Sequence, residues 1–340
     1  MSEATNRQWT LAKRPEGLVD EHTFELREAA IPEPADGEFL VRLLMLSFDP
    51  TQRGWLNDVR GYVPPVQIGE VMRASGVGEV VASRHPGFSE GDLVVGGFGW
   101  QEWIATDGGG LLPARKLPPG VSPSNALSVF GTTGLTAYFG MLDVGKPRSG
   151  ETVVVSGAAG ATGSVAGQIA KIQGCRVVGI AGGPEKCAWL TDEAHFDAAV
   201  DYKNEDVGER LRALCPDRVD VYFDNVGGPT LDTLLLHLAI GARVAMCGGI
   251  SSGYGTELPP GPRNIMQLVI QRARMEGFLV LDFAPRFGEA IAALAGWVGE
   301  GRIAFQEDIV EGFENAPQTL NRLFTGANRG KQLLRVADRS

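Results

Sequence analysis

Hydrophobic and polar positions follow two different patterns along the chain. Up to about residue 125, apolar runs such as GEFLVRLLMLSFDP, GVGEVVAS, GDLVVGGFGWQEWIA and GGGLLPARKLPPG are broken by glycine and proline. Short runs bounded by turn residues predict β-strands, and their irregular spacing predicts a barrel or sandwich. No helical period is visible before about Ser124.

Beyond Ser124 the apolar runs ETVVVSG, CRVVGIAG, DAAVDY, VDVYFDNVGG, ARVAMCGG and EGFLVL alternate with helical patterns. GSVAGQIAKIQG, PTLDTLLLHLA and NIMQLVIQRARM are examples of those helices. Strand and helix in alternation predict right-handed βαβ units and a parallel sheet covered by helices on both faces. The tail changes again, with GRIAFQEDIVEGF and GKQLLRVAD as strands around the helix APQTLNRLFTG. These strands are expected to return to the first domain. The chain therefore reads as an α/β protein, a doubly wound Rossmann sheet over residues 126–302 inserted into a β-rich domain of residues 1–125 plus 303–340.

The 340 residues, 44% hydrophobic and 21% charged, suit a globular chain with ample core. A formal net charge of −10 argues against nucleic acid or an anionic membrane as partner. No apolar run reaches the ~18 residues of a membrane span, and MSEATNRQWTLAKRPEG has no signal-peptide core. The four cysteines form no C-x-x-C pair and are read as reduced thiols, which predicts a cytoplasmic protein.

The segment VVVSGAAGATGSVAGQIAK joins a strand to a helix through a glycine-rich turn. Its fingerprint aligns as Ala158-x-Gly160-x-x-Gly163, with alanine in place of the first glycine. Gly160 would let a pyrophosphate approach the backbone, and Gly163 would let the helix pack on the strand. Ala161 and Thr162 complete the helix N-terminus, whose free N–H groups and positive dipole end favour phosphate. Val165, Ile169 and Ile172 then follow at core-facing helical spacing. A strand, turn, helix and second strand in order predict a dinucleotide site. An NAD site usually carries an acid at the end of that second strand, but CRVVGIAGGPEKC ends on Ala181, Gly182 and Gly183, with Lys186 following. The missing acid and added cation favour NADP(H).

His22, His85, His195 and His237 form no H-x-x-x-H or Cys/His cluster, and the first 170 residues contain no cysteine, so no metal site is expected. Ser156 has no G-x-S-x-G elbow around it. The nicotinamide hydride is left to carry the chemistry. Direct hydride addition suits a carbon conjugated with a carbonyl, because the charge lands on an enolate oxygen that hydrogen-bond donors such as a tyrosine can stabilise.

The chain resembles the zinc-independent medium-chain dehydrogenase/reductases, with a GroES-like domain and a Rossmann domain. Within them it is most similar to the prostaglandin, curcumin and plant double-bond reductases. GLTAYFGMLDVGKPRSGETVVVSGAAGATGSVAGQIAKIQGCRVVGIAGGPEKC, DYKNED, YFDNVGG, PPGPRN, RMEGFLV and GANRGKQLLRV carry the resemblance, which SFDPTQRGW and IGEVMRASGVGEVV extend into the N-terminal half. It implies NADPH-dependent reduction of the carbon–carbon double bond of small α,β-unsaturated ketones and aldehydes by a homodimer. It places Gly160 to Gly163 at the pyrophosphate and Lys186 and Tyr202 at the 2′-phosphate. Asn225, then Cys247, Gly248, Gly249, Ile250 and Ser251, then Phe278, Leu279 and Val280, and finally Asn328 would line the rest of the cofactor. Tyr254 matches the tyrosine that hydrogen-bonds the substrate carbonyl. Two departures stand out: one extra residue between Cys247 and Tyr254, and Asp49-Pro50-Thr51-Gln52-Arg53 where the family commonly has D-P-Y-M-R. Tyr62 is a candidate to fill the space of the tyrosine lost at Thr51. A quinone reductase and a non-catalytic NADPH-binding redox sensor are the competing expectations.

Overall fold

The computed structural model describes residues 5–252 and 260–339. They fall into two compact units, one running to Ser128 and resuming at Glu307, the other lying between Val129 and Gln306.

The first unit pairs β1 (Thr5–Leu11) with β2 (Phe24–Ala30) in an antiparallel ribbon. Its main sheet contains β3 (Phe39–Ser47), β4 (Gly76–Ser83), β5 (Leu93–Gly96), β6 (Trp103–Thr106) and β7 (Arg115–Lys116). The only residues of GGGLLPARKLPPG that enter a strand are thus those two of β7, as its glycines and prolines suggest. Strand β3 reads as a nearly unbroken apolar run because all but one of its residues are buried. It bulges against β4, where a Cβ on Gly78 would stand 2.4 Å from Val41 and 2.5 Å from the Arg42 carbonyl. Phe24 and Phe48 pack on fully buried Trp100 at ring distances of 4.9 and 5.1 Å.

The second unit contains β8 (Thr152–Ser156), β9 (Arg176–Ala181), β10 (Ala198–Asp201), β11 (Val219–Asp224), β12 (Leu238–Met246) and β13 (Arg274–Gly277). All pair in parallel in the order β10-β9-β8-β11-β12-β13, so the winding reverses between β8 and β11. Alternate residues serve opposite faces. Val153 and Val155 pack with Val165 and Ile169 of the helix Ala161–Ile172, whereas Val154 packs with Val178, Val200 and Leu234. Both faces are covered, which is why these strands read as continuous apolar runs.

Two elements differ from the sequence pattern. EGFLVL is extended only up to Gly277, and Val280–Arg286 is a 3-10 helix. Of NIMQLVIQRARM only Gln267–Ile270 is helical, and the chain turns at Arg272 with φ +51°. Met266, Val269 and Ile270 lie exposed, so the apolar period there reflects no buried helix face within this chain.

Strands β14 (Glu307–Glu311) and β15 (Lys331–Arg335) complete the first unit's sheet, in the order β14-β15-β3-β4-β5-β7 with β6 also on β3. The helix Ala316–Thr325 lies between them in the chain. No described helix is long and apolar enough to cross a membrane.

Candidate functional site

The glycine turn leaves β8 at Gly157, whose φ of +58° is left-handed. The Ala158 N–H donates to the Ile180 carbonyl at 3.0 Å, and the Gly160 N–H donates to the Gly157 carbonyl at 3.0 Å. Gly160 is the helix N-cap and supplies no side-chain cap. The N–H groups of Ala161, Thr162 and Gly163 therefore have no acceptor within the helix and face outward at its positive end. A Cβ on Gly163 would stand 2.4 Å from the Gly157 oxygen and 3.0 Å from the Ala158 Cα, so helix and turn touch only because it is glycine. At Gly160 the nearest atom to such a Cβ is 3.1 Å away, and it belongs to the turn itself. The cradle is tight below and open above, which fits the pyrophosphate of a dinucleotide.

Beside it stands Asp224, the last residue of β11 and fully buried. Its Oδ1 accepts from the Ser156 hydroxyl at 2.8 Å, the Tyr222 hydroxyl at 2.7 Å, and the Val226 and Gly227 N–H groups at 2.9 Å each. Its Oδ2 has no partner among the described residues. The Asp224 carbonyl accepts from Cys247 at 2.8 Å and Gly248 at 3.1 Å. Asn225 donates its backbone N–H to the Ser156 hydroxyl at 3.0 Å and its amide to the Ser156 carbonyl at 2.7 Å. Ile250 and Ser251 bond back to the Asn225 and Val226 carbonyls. The Asp224 carboxylate thus joins the C-terminal ends of β8 and β11, and its backbone carbonyl ties them to the segment after β12. Burial and the Asp224 charge push the Tyr222 hydroxyl well above its ordinary pKa. Burial, then Asp224, push the Cys247 thiol up to about 12, so it stays a thiol at neutral pH.

The ends of β9 and β10 form the other half. Asp201 Oδ1 accepts from the Gly183 N–H at 2.8 Å and the Lys203 N–H at 3.1 Å, and Oδ2 accepts from the Asn204 amide at 2.7 Å. The Gly183 bond, then the Asn204 bond, hold this carboxyl below the usual range. Tyr202, 53% exposed, lays its ring beside Gly182, where a Cβ would meet Cε1 at 2.8 Å. Lys186 lies in the helix Pro184–Asp192 that starts at this turn.

The structure thus gathers Gly160 to Gly163, Asn225 and Cys247 to Ser251 in one bonded group at the strand ends, with Tyr202 over the neighbouring turn at Gly182. Phe278, at the exit of β13, puts its ring against Phe223 at 6.3 Å and against Gly140, where a Cβ would meet it at 2.3 Å. Leu279 and Val280 follow it into the 3-10 helix. Asn328 belongs to the other unit, where its amide donates to the Gly330 carbonyl at 3.0 Å. Tyr254 lies outside the described residues. In the first unit the Thr51 and Tyr62 hydroxyls are bonded to each other. Tyr62 also lines a cavity of about 410 Å³ bounded by the loop from Asp58 to Pro65. Among the described residues no three His, Cys, Asp or Glu side chains are placed to hold a metal ion. Ser156 was weighed from sequence only as a nucleophile, and Asp224 and Tyr222 were not singled out, although an acid closing the apolar run VDVYFD was a usable signal.

Two family models match the chain. Residues 7–114 match the N-terminal domain of oxidoreductase, and residues 161–296 match the zinc-binding dehydrogenase domain. The NADPH-dependent curcumin reductase of Escherichia coli (strain K12) is 43% identical, covering 98% of this chain and 97% of that protein. The NADP(+)-dependent 2-alkenal reductase of Nicotiana tabacum is 37% identical, covering 98% of each. The crystal structure of CurA from Vibrio vulnificus in complex with NADPH is similar at a TM-score of 0.92 and 43% identity, over 98% of this chain and all of that one.

Proposed function

The chain belongs to the medium-chain dehydrogenase/reductase family, among the curcumin, prostaglandin and alkenal reductases, and is an NADPH-dependent oxidoreductase; from that premise we propose that it reduces the carbon–carbon double bond of α,β-unsaturated aldehydes and ketones. The observation that carries this reading is likeness over nearly the whole length to a reductase named for 2-alkenals.

The bound nicotinamide supplies a hydride, which in this reading goes to the β-carbon. The protein's part is to hold, orient and donate. The N–H groups of Ala161, Thr162 and Gly163 bind the pyrophosphate, with the helix dipole adding to them. Asn225, the segment Cys247 to Ser251, Phe278 to Val280 and Asn328 hold the remaining length of the dinucleotide. Lys186 and Tyr202 take the 2′-phosphate. The Tyr254 hydroxyl donates to the substrate carbonyl oxygen, where the enolate charge develops; such a donor is worth ~10²–10³ in kcat.

We further propose a homodimer joined at the β13 edge. Ile240, Met266, Val269 and Ile270 are 55–69% exposed, and the Gly241 N–H, bonded to the Gln271 carbonyl at 2.7 Å, brings Ile240 beside the other three. An apolar patch beside a strand edge that has no partner among the described residues suits a second copy. All four cysteines are free thiols, which suits the cytoplasm.

The test is NADPH oxidation, followed by absorbance in chelated buffer, with an aliphatic enal, an aryl enone and phenanthrenequinone. Turnover of an enal or enone, slowed by Tyr254→Phe without weaker NADPH binding, is the expected result. Oxidation by the quinone alone would replace this reading with quinone reduction. Binding of NADPH with no turnover of any acceptor would replace it with a sensor.

A further inference from the structure

The exit of the second strand of a dinucleotide-binding sheet is where NAD sites present an acid to the adenine ribose. Here that strand is β9, and its exit runs through Ala181, Gly182 and Gly183. The side chains nearest to it come from the turn after β10. A Cβ on Gly182 would stand 2.8 Å from Tyr202 Cε1 and 3.0 Å from Lys203 Cε. Cε is the last carbon before the ammonium, so the charge of Lys203 sits one covalent bond from the position that meets Gly182.

Resting on the NADPH assignment above, we propose that Lys203 is a specificity-determining residue. Its ammonium binds the 2′-phosphate alongside Lys186, and glycine at 182 makes the room that places it there.

The turn that carries Lys203 is held from both sides. Asp201 bonds the Gly183 and Lys203 N–H groups through one oxygen, and the Tyr202 N–H donates to the Ala181 carbonyl at 3.1 Å. The neighbouring carboxylates have other partners. Asp201 is taken by those N–H groups and by the Asn204 amide. Glu205 accepts from the Asp201 N–H at 2.8 Å with one oxygen and pairs with Arg210 at 3.0 Å with the other. Lys203 is exposed and makes no ion pair among the described residues. An ammonium thus stands where NAD sites place a carboxylate. It attracts a 2′-phosphate dianion and offers little to a 2′-hydroxyl.

Purified wild type, Lys203→Ala, Lys203→Arg and Gly182→Ala would be titrated with NADPH and with NADH by cofactor fluorescence. Adenosine 2′,5′-bisphosphate would serve as competitor. Lys203→Ala should raise the Kd for NADPH and for the bisphosphate by about tenfold or more, and that for NADH by less than about twofold. Lys203→Arg should keep the preference. Gly182→Ala, which changes no charge, should weaken NADPH in the same direction because its methyl displaces both side chains. Unchanged NADPH affinity in Lys203→Ala, or equal losses for both cofactors, would overturn the proposal. Unchanged NADPH affinity in Gly182→Ala would overturn the role of the glycine. A wild type that binds NADPH and NADH alike would instead overturn the cofactor assignment on which the proposal rests.

Discussion

Two strand ends of the parallel sheet, separated by β9 and β8, solve one problem in different ways. β10 and β11 each finish on an aspartate whose carboxylate collects the N–H groups of the turns around it. Asp201 spreads its bonds over both oxygens, beside exposed Tyr202 and Lys203. Asp224 loads four donors on one oxygen in full burial and leaves the other without a partner. The first arrangement shapes a turn whose next residues are exposed, and its bonds are shared between two oxygens, so the loss of one leaves the others in place. The second ties the ends of β8 and β11 together in full burial, where no water can substitute. A carboxylate's structural weight is set by what would replace its bonds.

That contrast is best tested by removing each carboxylate. Asp224→Ala strands two hydroxyls and two backbone N–H groups, and should destabilise the protein by about 3 kcal/mol, read as a fall in the denaturation midpoint. A loss under about 1 kcal/mol would place the two aspartates on the same footing. Gly163→Ala comes next, because its methyl would collide with the Gly157 carbonyl at 2.4 Å and part the helix from the turn. Weakening of NADPH binding by about tenfold, a change of ~1.4 kcal/mol, is expected in a titration; unaltered binding would show that the helix N-terminus is no phosphate cradle. The smallest effect belongs to Asp201. Its folded pKa lies below the unfolded value, so its contribution is present above about pH 4 and is lost as the pH falls through the folded value. Asp201→Asn should flatten the acid limb of the stability profile while changing stability at pH 7 only slightly. An unchanged acid limb would remove Asp201 from the account.

Much of the Rossmann half was legible because parallel strands buried on both faces leave long apolar runs, and the turn after β8 needs glycine where the helix packs on it. Gly160, Gly163 and the six-strand pattern all follow from that. EGFLVL misled because Phe278 is apolar in order to pack on Phe223 and Gly140, not to extend the strand. NIMQLVIQRARM misled because its exposed apolar residues match no helix face within this chain. Lys203 went unremarked beside Tyr202 because its proposed role depends on Gly182, 21 positions away in sequence.

Local chemistry was enough to establish the class of fold, the glycine turn after β8 and the lack of an acid after β9, since each depends on residues adjacent in the chain. Which side chains meet at those strand ends was decided by tertiary structure. Parallel pairing sets β9 beside β10 and β8 beside β11, and only that pairing puts Lys203 on Gly182 and Ser156 on Asp224. A hydrogen bond or a charge acts over a few ångströms of space, and its strength depends on burial, neither of which is written in sequence order.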